Sequence, residues 1–444
     1  MASDRIFTYR ENVVVPFAYE VSPGKKVDFT PVIEHAAFSR LKYVGQLAPI
    51  DLVIPGTGHK RYEHCLGVFD LSQQVISRSE LNLSDYEKFL MLSVALLHDV
   101  GHGPYSHVYE IVASSYGLPN HKEHGLKIIE EEMGDVLRMA GNSHFNYNHI
   151  TEDLVRLMRT KHPIARLVLD KDRLDKWDYT IRDRHYAQCG SRPDIETLIT
   201  NLYFDGKKSG IKHTGRDALR AYLEALINNN SGVYIRQDVE TIEGFLIRAI
   251  LAAKEDDTID LDRAYGYDDE KLNSKLMQNG RSAEIFKSIR SNTFREGSRW
   301  LPVASIKPRG YGWIAKADEN TSLVEEINET EMKKFNEGLK LPEIIKLEKS
   351  IMKELELKPD ELVITFSPQI DRLVIDNSNI VYPSNGELVF TSIFDISPSL
   401  GDYLKGRLEE HYAIRAVSTR EKKPNVTEYL ERRGGFKEVL KDIL

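Results

Sequence analysis

The sequence predicts a mainly α protein with a smaller C-terminal α+β region. From residue 31 to about 255, apolar residues recur at helical spacing in one segment after another. Beyond residue 300 the pattern changes to short β-rich runs punctuated by Pro, Asn and Gly. The composition, 41% hydrophobic and 29% charged, is that of an ordinary soluble globular chain. At about 150 residues per domain, a 444-residue chain is expected to hold roughly three domains, or one large domain with an appendage.

Residues 1–30 read as an extended N-terminal segment, in which VVVPFAYEV runs into the turn signal SPGKK. PVIEHAAFSRLKYVGQL then predicts a helix that stops near Pro49. RYEHCLGVFDLSQQVISRS, DYEKFLMLSVALLHDVGH, HKEHGLKIIEEEMGDVLRMAG, EDLVRLMRT, RLDKWDYTIRDRHYAQ, DALRAYLEALINNN and VETIEGFLIRAILAAKE continue the helical pattern and complete a domain over 31–255. The acidic stretch EDDTIDLDRAYGYDDEK opens a linker and helical connection over 256–300. In the 301–444 region, WLPVASIKPRGYGWIAKA, LVITF, DRLVID and ELVFTSIFDI predict strands. EEINETEMKKFNEGL, LPEIIKLEKSIMKELEL and LGDYLKGRLEEHYAI predict helices among them. No internal repeat is visible.

The net charge of −8 argues against a surface coated for nucleic-acid binding, although a small basic pocket remains compatible. Two cysteines exclude a disulfide scaffold and a Cys-rich zinc module, and fit a reducing cytoplasm. Charges in MASDRIFTYRENVVV stand where a signal peptide needs apolar residues. The longest apolar run, Phe89 to Leu97, is far short of the roughly 20 residues that span a bilayer, so membrane insertion is not expected.

The histidines are unevenly placed. Seven of the fourteen lie between His59 and His124, where even scatter would give about two. His98-Asp99 closes an apolar helix, and a carboxylate after so buried a run is costly unless paired or coordinated. His102 follows one helical spacing on, and the Gly-Pro break before His107 could fold that ring back over the site. His64, near the start of another helix, is a candidate third metal ligand. Asp175 shares a helix face with Asp178 and could complete a His, His, Asp, Asp set. Such donors suit Mn²⁺, Mg²⁺, Fe²⁺ or Zn²⁺ without choosing among them.

The pattern of His64, His98-Asp99 and Asp175 resembles that of HD-domain phosphohydrolases. GQLAPIDLVIPGTGHKRYEHCLG, LLHDVGHGPYSH and LDKWDYTIRD are similar to the deoxynucleoside triphosphate triphosphohydrolase branch, the dGTPases and sterile-alpha-motif/HD-domain enzymes. The resemblance spans residues 34 to 190, and the spacing from Gln46-Leu47 to His64 agrees with it. It implies a helical HD-domain core that holds a divalent metal through His64, His98, Asp99 and Asp175. His107 would be the general acid for the leaving 5′ oxygen, oriented by Glu110, where the family often has Asp. His121, or His124, would be a further active-site histidine at the phosphates. Arg61 and Lys176 would hold phosphates, and Gln46 and Leu47 would bind substrate, with Gln46 at the sugar 3′-hydroxyl. Tyr179 would pack on the sugar, with Asp183 beside it.

The chain departs from the family on the next helix, where relatives carry Arg, His and Tyr that touch the triphosphate and sugar. NNNSGVYIRQDVETIEG places Asn230, Tyr234 and Asp238 at those positions, with Arg236 near enough to reach a phosphate. Glu34 and Lys42 fall where the relatives bind an activating nucleotide. The resemblance thus implies a deoxynucleoside triphosphate substrate, a nucleotide activator and a homo-oligomer, either dimer or tetramer. The alternatives are an HD phosphohydrolase acting on a monophosphate, cyclic or alarmone-type nucleotide, and a catalytically quiet nucleotide sensor. Taken singly, Arg61 and Lys176 could be solvated helix charges, and Trp177 and Cys65 read as core residues.

Overall fold

The structure is a computed structural model that describes residues 2–78, 81–142, 144–145, 149–170, 172–190, 192–278, 280–291, 300–308, 321–366, 379–384, 387–409 and 413–443. It is mainly α, a helical core followed by an α+β region. Among the described residues no helix is long and apolar enough to cross a membrane.

The N-terminal segment forms two antiparallel hairpins, Ser3–Thr8 with Glu11–Pro16 and Ala18–Ser22 with Lys25–Asp28. Val15 and Val27 from these hairpins, and Phe29 just after them, are buried in the helical core. The single helix expected from residue 31 is instead broken into Thr30–Glu34, Ala36–Ser39 and a 3₁₀ turn at Arg40–Tyr43. The break is at His35, which adopts extended backbone and caps the second piece by accepting from the Ala37 N–H.

Three helices carry the centre of the core. Arg61–Arg78 packs against Asp85–Leu97 on one side and Leu174–Ala187 on the other. Asp85–Leu97 starts at a Ser84/Glu87 capping box, and Phe89 to Leu97 are buried all round. Two glycines permit unusually close approach. A Cβ on Gly67 would lie 2.0 Å from the Asp178 carboxylate, so only glycine lets that acid sit against the Arg61–Arg78 helix. A Cβ on Gly101 would lie 2.1 Å from the His121 carbonyl oxygen, so the start of the His121–Glu132 helix rests directly on the segment after His98.

The acidic segment expected as a linker contains two short helices, Leu261–Ala264 and Asp269–Leu276. Its acids supply the caps: Asp260 accepts from the Arg263 N–H and Asp268 from the Lys271 N–H. The long Gln237–Glu255 helix joins this layer to the C-terminal region. It does so through buried ion pairs, Glu240 with Arg415 and Arg248 with Glu348.

The C-terminal sheet has the order Leu323–Ile327, Trp300–Pro308, Ile414–Thr419, Leu362–Phe366. Only the first pair is parallel. Ile414–Thr419 is a central strand buried at every position; the sequence offered it no alternation, and its first residue ended an expected helix. A second sheet pairs Ser209–Lys212 in parallel with Asn379–Ser384, tying the two regions together. In the expected strand ELVFTSIFDI, only Glu387–Ser392 is extended; Ile393–Ile396 is helical, capped by Ser392. The expected strand DRLVID and the segment RGYGWIAKA lie outside the described residues.

Candidate active site

Four donors converge where the three central helices meet. His64 and His98 turn their Nε2 atoms to within 3.2 Å of each other. Asp99 Oδ2 lies 3.7 Å from His64 Nε2, and Asp99 Oδ1 lies 3.6 Å from His98 Nε2. From the facing helix, Asp175 Oδ1 comes within 3.2 Å of His64 Nε2 and 3.8 Å of His98 Nε2. His64, His98 and Asp99 each place a donor atom within 4.8 Å of the others, a group able to hold a metal ion, and Asp175 approaches both histidines.

The other nitrogen of each histidine is anchored. His64 Nδ1–H donates to Asp178 at 2.8 Å, and His98 Nδ1–H to the Ala95 carbonyl at 3.0 Å. Asp178 is held in turn by the Arg182 fork through two 2.9 Å hydrogen bonds. Both imidazoles thus present Nε2 to the centre, the arrangement that raises ligand basicity and fixes orientation. Burial alone would lower His64, but the Asp175 and Asp178 carboxylates lift it to about 9. Burial opposes charge on Asp175 as well, yet Lys176 and the histidines hold it well below the ordinary carboxylate range.

A second cluster adjoins the first. His102, His107, Glu110 and His121 place one donor atom each within 4.8 Å of one another. Glu110 Oε2 accepts from His121 Nδ1–H at 2.6 Å and lies 3.4 Å from His107 Nδ1. His121 stacks on His102 at 3.9 Å between ring centroids, and His102 meets His107 edge-on at 5.0 Å. His102 also approaches Asp99 at 3.5 Å, which links the clusters. His107 is 51% exposed, so it can meet a ligand from solvent.

The remaining expected site residues are placed unevenly. Arg61 is buried, hydrogen-bonded to Asp99 and, through Nε, to Ser106 Oγ at 2.7 Å. Lys176 Nζ is 2.9 Å from Asp175 and lies over the Tyr179 ring, which neighbours His64. Gln46 is buried, and its Oε1 has no partner among the described residues. Asp183 accepts from His59 Nε2–H at 2.8 Å and from the Tyr234 hydroxyl.

Three of the expected site residues stand outside the two clusters. His124 is not in the cluster: it donates to the Gly101 carbonyl at 3.0 Å and packs on Tyr265. Arg236 is engaged by Asp238 through bonds of 2.7 and 3.0 Å, which also neutralises that acid. Leu47 packs with Ile50, Val233 and Val239 in a small apolar cluster. Trp177 and Cys65 are core residues as expected.

Asp178, His102, Ser106, His59 and Tyr234 carry the site without having been assigned a role from sequence. Asp178 had a signal, its shared face with Asp175. His102 meets Asp99, three residues before it, whereas the contacts of Ser106, His59 and Tyr234 join residues far apart in the chain.

Residues 61–180, the helical centre that carries the site, match the HD domain family model. The chain is 26% identical over 251 residues to the uncharacterized protein MJ1154 of Methanocaldococcus jannaschii, covering 55% of this chain and 51% of that one. It is 27% identical over 219 residues to the mouse (Mus musculus) deoxynucleoside triphosphate triphosphohydrolase SAMHD1, covering 39% of this chain and 32% of the mouse protein. It spans about half the length of the first of the curated relatives it matches. A hypothetical protein from Aquifex aeolicus shares the fold, with a TM-score of 0.66 at 18% identity over 97% of this chain and 100% of that one.

Proposed function

We propose that this chain is a metal-dependent phosphohydrolase that converts deoxynucleoside triphosphates to deoxynucleoside and inorganic triphosphate. The observation that carries this reading is the junction, through Asp99 and His102, of the His64, His98 and Asp99 donor group with a histidine–carboxylate cluster. His64, His98, Asp99 and Asp175 would hold a divalent ion, which would supply Lewis-acid polarisation of a phosphoryl oxygen. Water adds to the α-phosphorus, the bond from phosphorus to the 5′ oxygen breaks, and His107 delivers a proton to that oxygen. Glu110 orients His107 and His121, and an arriving polyanion raises the affinity of both rings for protons. Arg61 faces the phosphates, and Lys176 joins it by exchanging its Asp175 contact for a phosphate oxygen. Gln46 and Tyr179 face the sugar, with Asp183 held beside them.

The reading extends to a homo-oligomer, dimer or tetramer, activated by a nucleotide near Glu34 and Lys42. Light scattering with and without nucleotides tests this, and a monomer under both conditions rejects it. One observation favours a second reading, hydrolysis of another nucleotide phosphate: Arg236 and Asp238 neutralise each other where relatives place phosphate contacts. The deciding experiment is incubation with each deoxy- and ribonucleoside triphosphate plus Mn²⁺ or Mg²⁺, with products separated by chromatography. Release of orthophosphate or nucleoside monophosphate in place of triphosphate would select the second reading.

A further inference from the structure

The loop that delivers His107 is bent against its own preference. Tyr105 and Ser106 both have positive φ, 54° and 55°, which non-glycine residues hold only when the surroundings impose it. This bend starts the helix carrying His107 and Glu110, and it aims Ser106 Oγ at two partners. Ser106 donates to the Gly45 carbonyl at 2.6 Å and accepts from Arg61 Nε at 2.7 Å. Gly45 precedes Gln46, and its bridge to Lys60 sets that segment beside the start of the Arg61–Arg78 helix.

One carboxylate closes this arrangement from outside the HD domain. Asp269 Oδ1 accepts from the Tyr105 N–H at 2.7 Å, and Oδ2 from the Gly45 N–H at 2.8 Å. Asp269 is only 8% exposed, and Lys60 Nζ stands 4.0 Å away. A buried carboxylate spending one oxygen on each of two backbone amides is a bridge of fixed length between the segments that bear them. The same short helix supplies Asn273, which accepts from the Tyr105 hydroxyl at 2.6 Å.

We infer that Asp269 is a positioning residue: it clamps the His107 loop to the Gln46 segment, so that acid and sugar contact stay in register. This rests on the proposed hydrolase reading for its catalytic consequence, while the clamp itself is independent of it.

The test pairs kinetics with amide exchange on the full chain. Asp269→Asn keeps the shape but turns an NH₂ toward one of the two amides. Exchange at Tyr105 or Gly45 should accelerate at least tenfold, with bound metal unchanged. Turnover should fall tenfold or more when His107 is present. In a His107→Ala background the same change should cost less than twofold, because the group being positioned is gone. Equal losses in both backgrounds, or unchanged exchange, overturn the inference. So does an equal loss of turnover in Asp268→Ala, which removes the helix cap without touching either amide. Should Asp269→Asn fail to fold, wild-type exchange decides: both amides must open only with global unfolding, and exchange like that of an exposed loop overturns the clamp. Absence of any phosphohydrolase activity in the wild type would count against the proposed function, and the exchange result would still decide the clamp.

Discussion

Asp178 holds His64 Nδ1–H at 2.8 Å from the neighbouring helix, and this bond fixes which face of the imidazole meets the metal donors. Asp178 is itself no ligand, so its removal should weaken metal binding without deleting a donor. Asp178→Asn is expected to lower metal affinity by about 10–100-fold, measured by competition with a chelating dye. Asp178→Ala should be worse, since it also strips the buried Arg182 of its main partner, at a cost of about 3–5 kcal/mol in stability.

His64 also gives the metal-free protein a pH signature. Its folded value of about 9 lies above the ordinary imidazole value near 6.5. Between those values the folded chain holds a proton that the unfolded chain has lost. This stabilisation is complete below about pH 6.5 and disappears as the pH rises through 9. Chelated protein should therefore lose stability across that window. Metal must displace the proton, so adding metal near pH 7.5 should release about one proton per site, readable with a weakly buffered indicator dye. Metal uptake with no proton release would show that His64 is neutral in the free site.

The acid assignment is tested by His107→Ala, which should keep metal content and lower turnover by about 10²-fold or more. Glu110→Gln should give a smaller loss, because Glu110 acts through His107 and His121. Near-normal turnover in His107→Ala would move the acid role to His121, the other ring on Glu110.

On the sugar side, Tyr179→Ala and Gln46→Ala should each erode the preference for deoxy over ribo substrates. Crowding against a 2′-hydroxyl is expected to be worth about 10²-fold, read as the ratio of kcat/KM values for the two sugars. Unaltered ratios in both variants would place sugar recognition elsewhere, with His59, Asp183 and Tyr234 the next residues to test.

Much of the helical core was legible because its signals are local. The Phe89–Leu97 run and the adjacent pair His98-Asp99 announce a buried helix ending at a charged site. The cluster around His107 was legible only in part. The Gly-Pro turn hinted that His107 folds back, but the choice between His121 and His124 depends on Gly101 letting one helix start touch the loop. The break at His35 and the capping by Asp260 and Asp268 were lost inside stretches whose average pattern suggested one helix or a linker. Asp269 could not be foreseen, since its partners Gly45 and Tyr105 lie far away in sequence and are backbone amides, which leave no mark on composition.

The central claim concerns the bond that breaks, and ³¹P NMR of a metal-loaded reaction reads it directly. With a deoxynucleoside triphosphate as substrate, resonances of intact inorganic triphosphate should grow in step with free deoxynucleoside. Neither should form with His64→Ala or with chelator present. Growth of orthophosphate, pyrophosphate or a nucleoside monophosphate from the wild-type protein, with no triphosphate, would contradict the account.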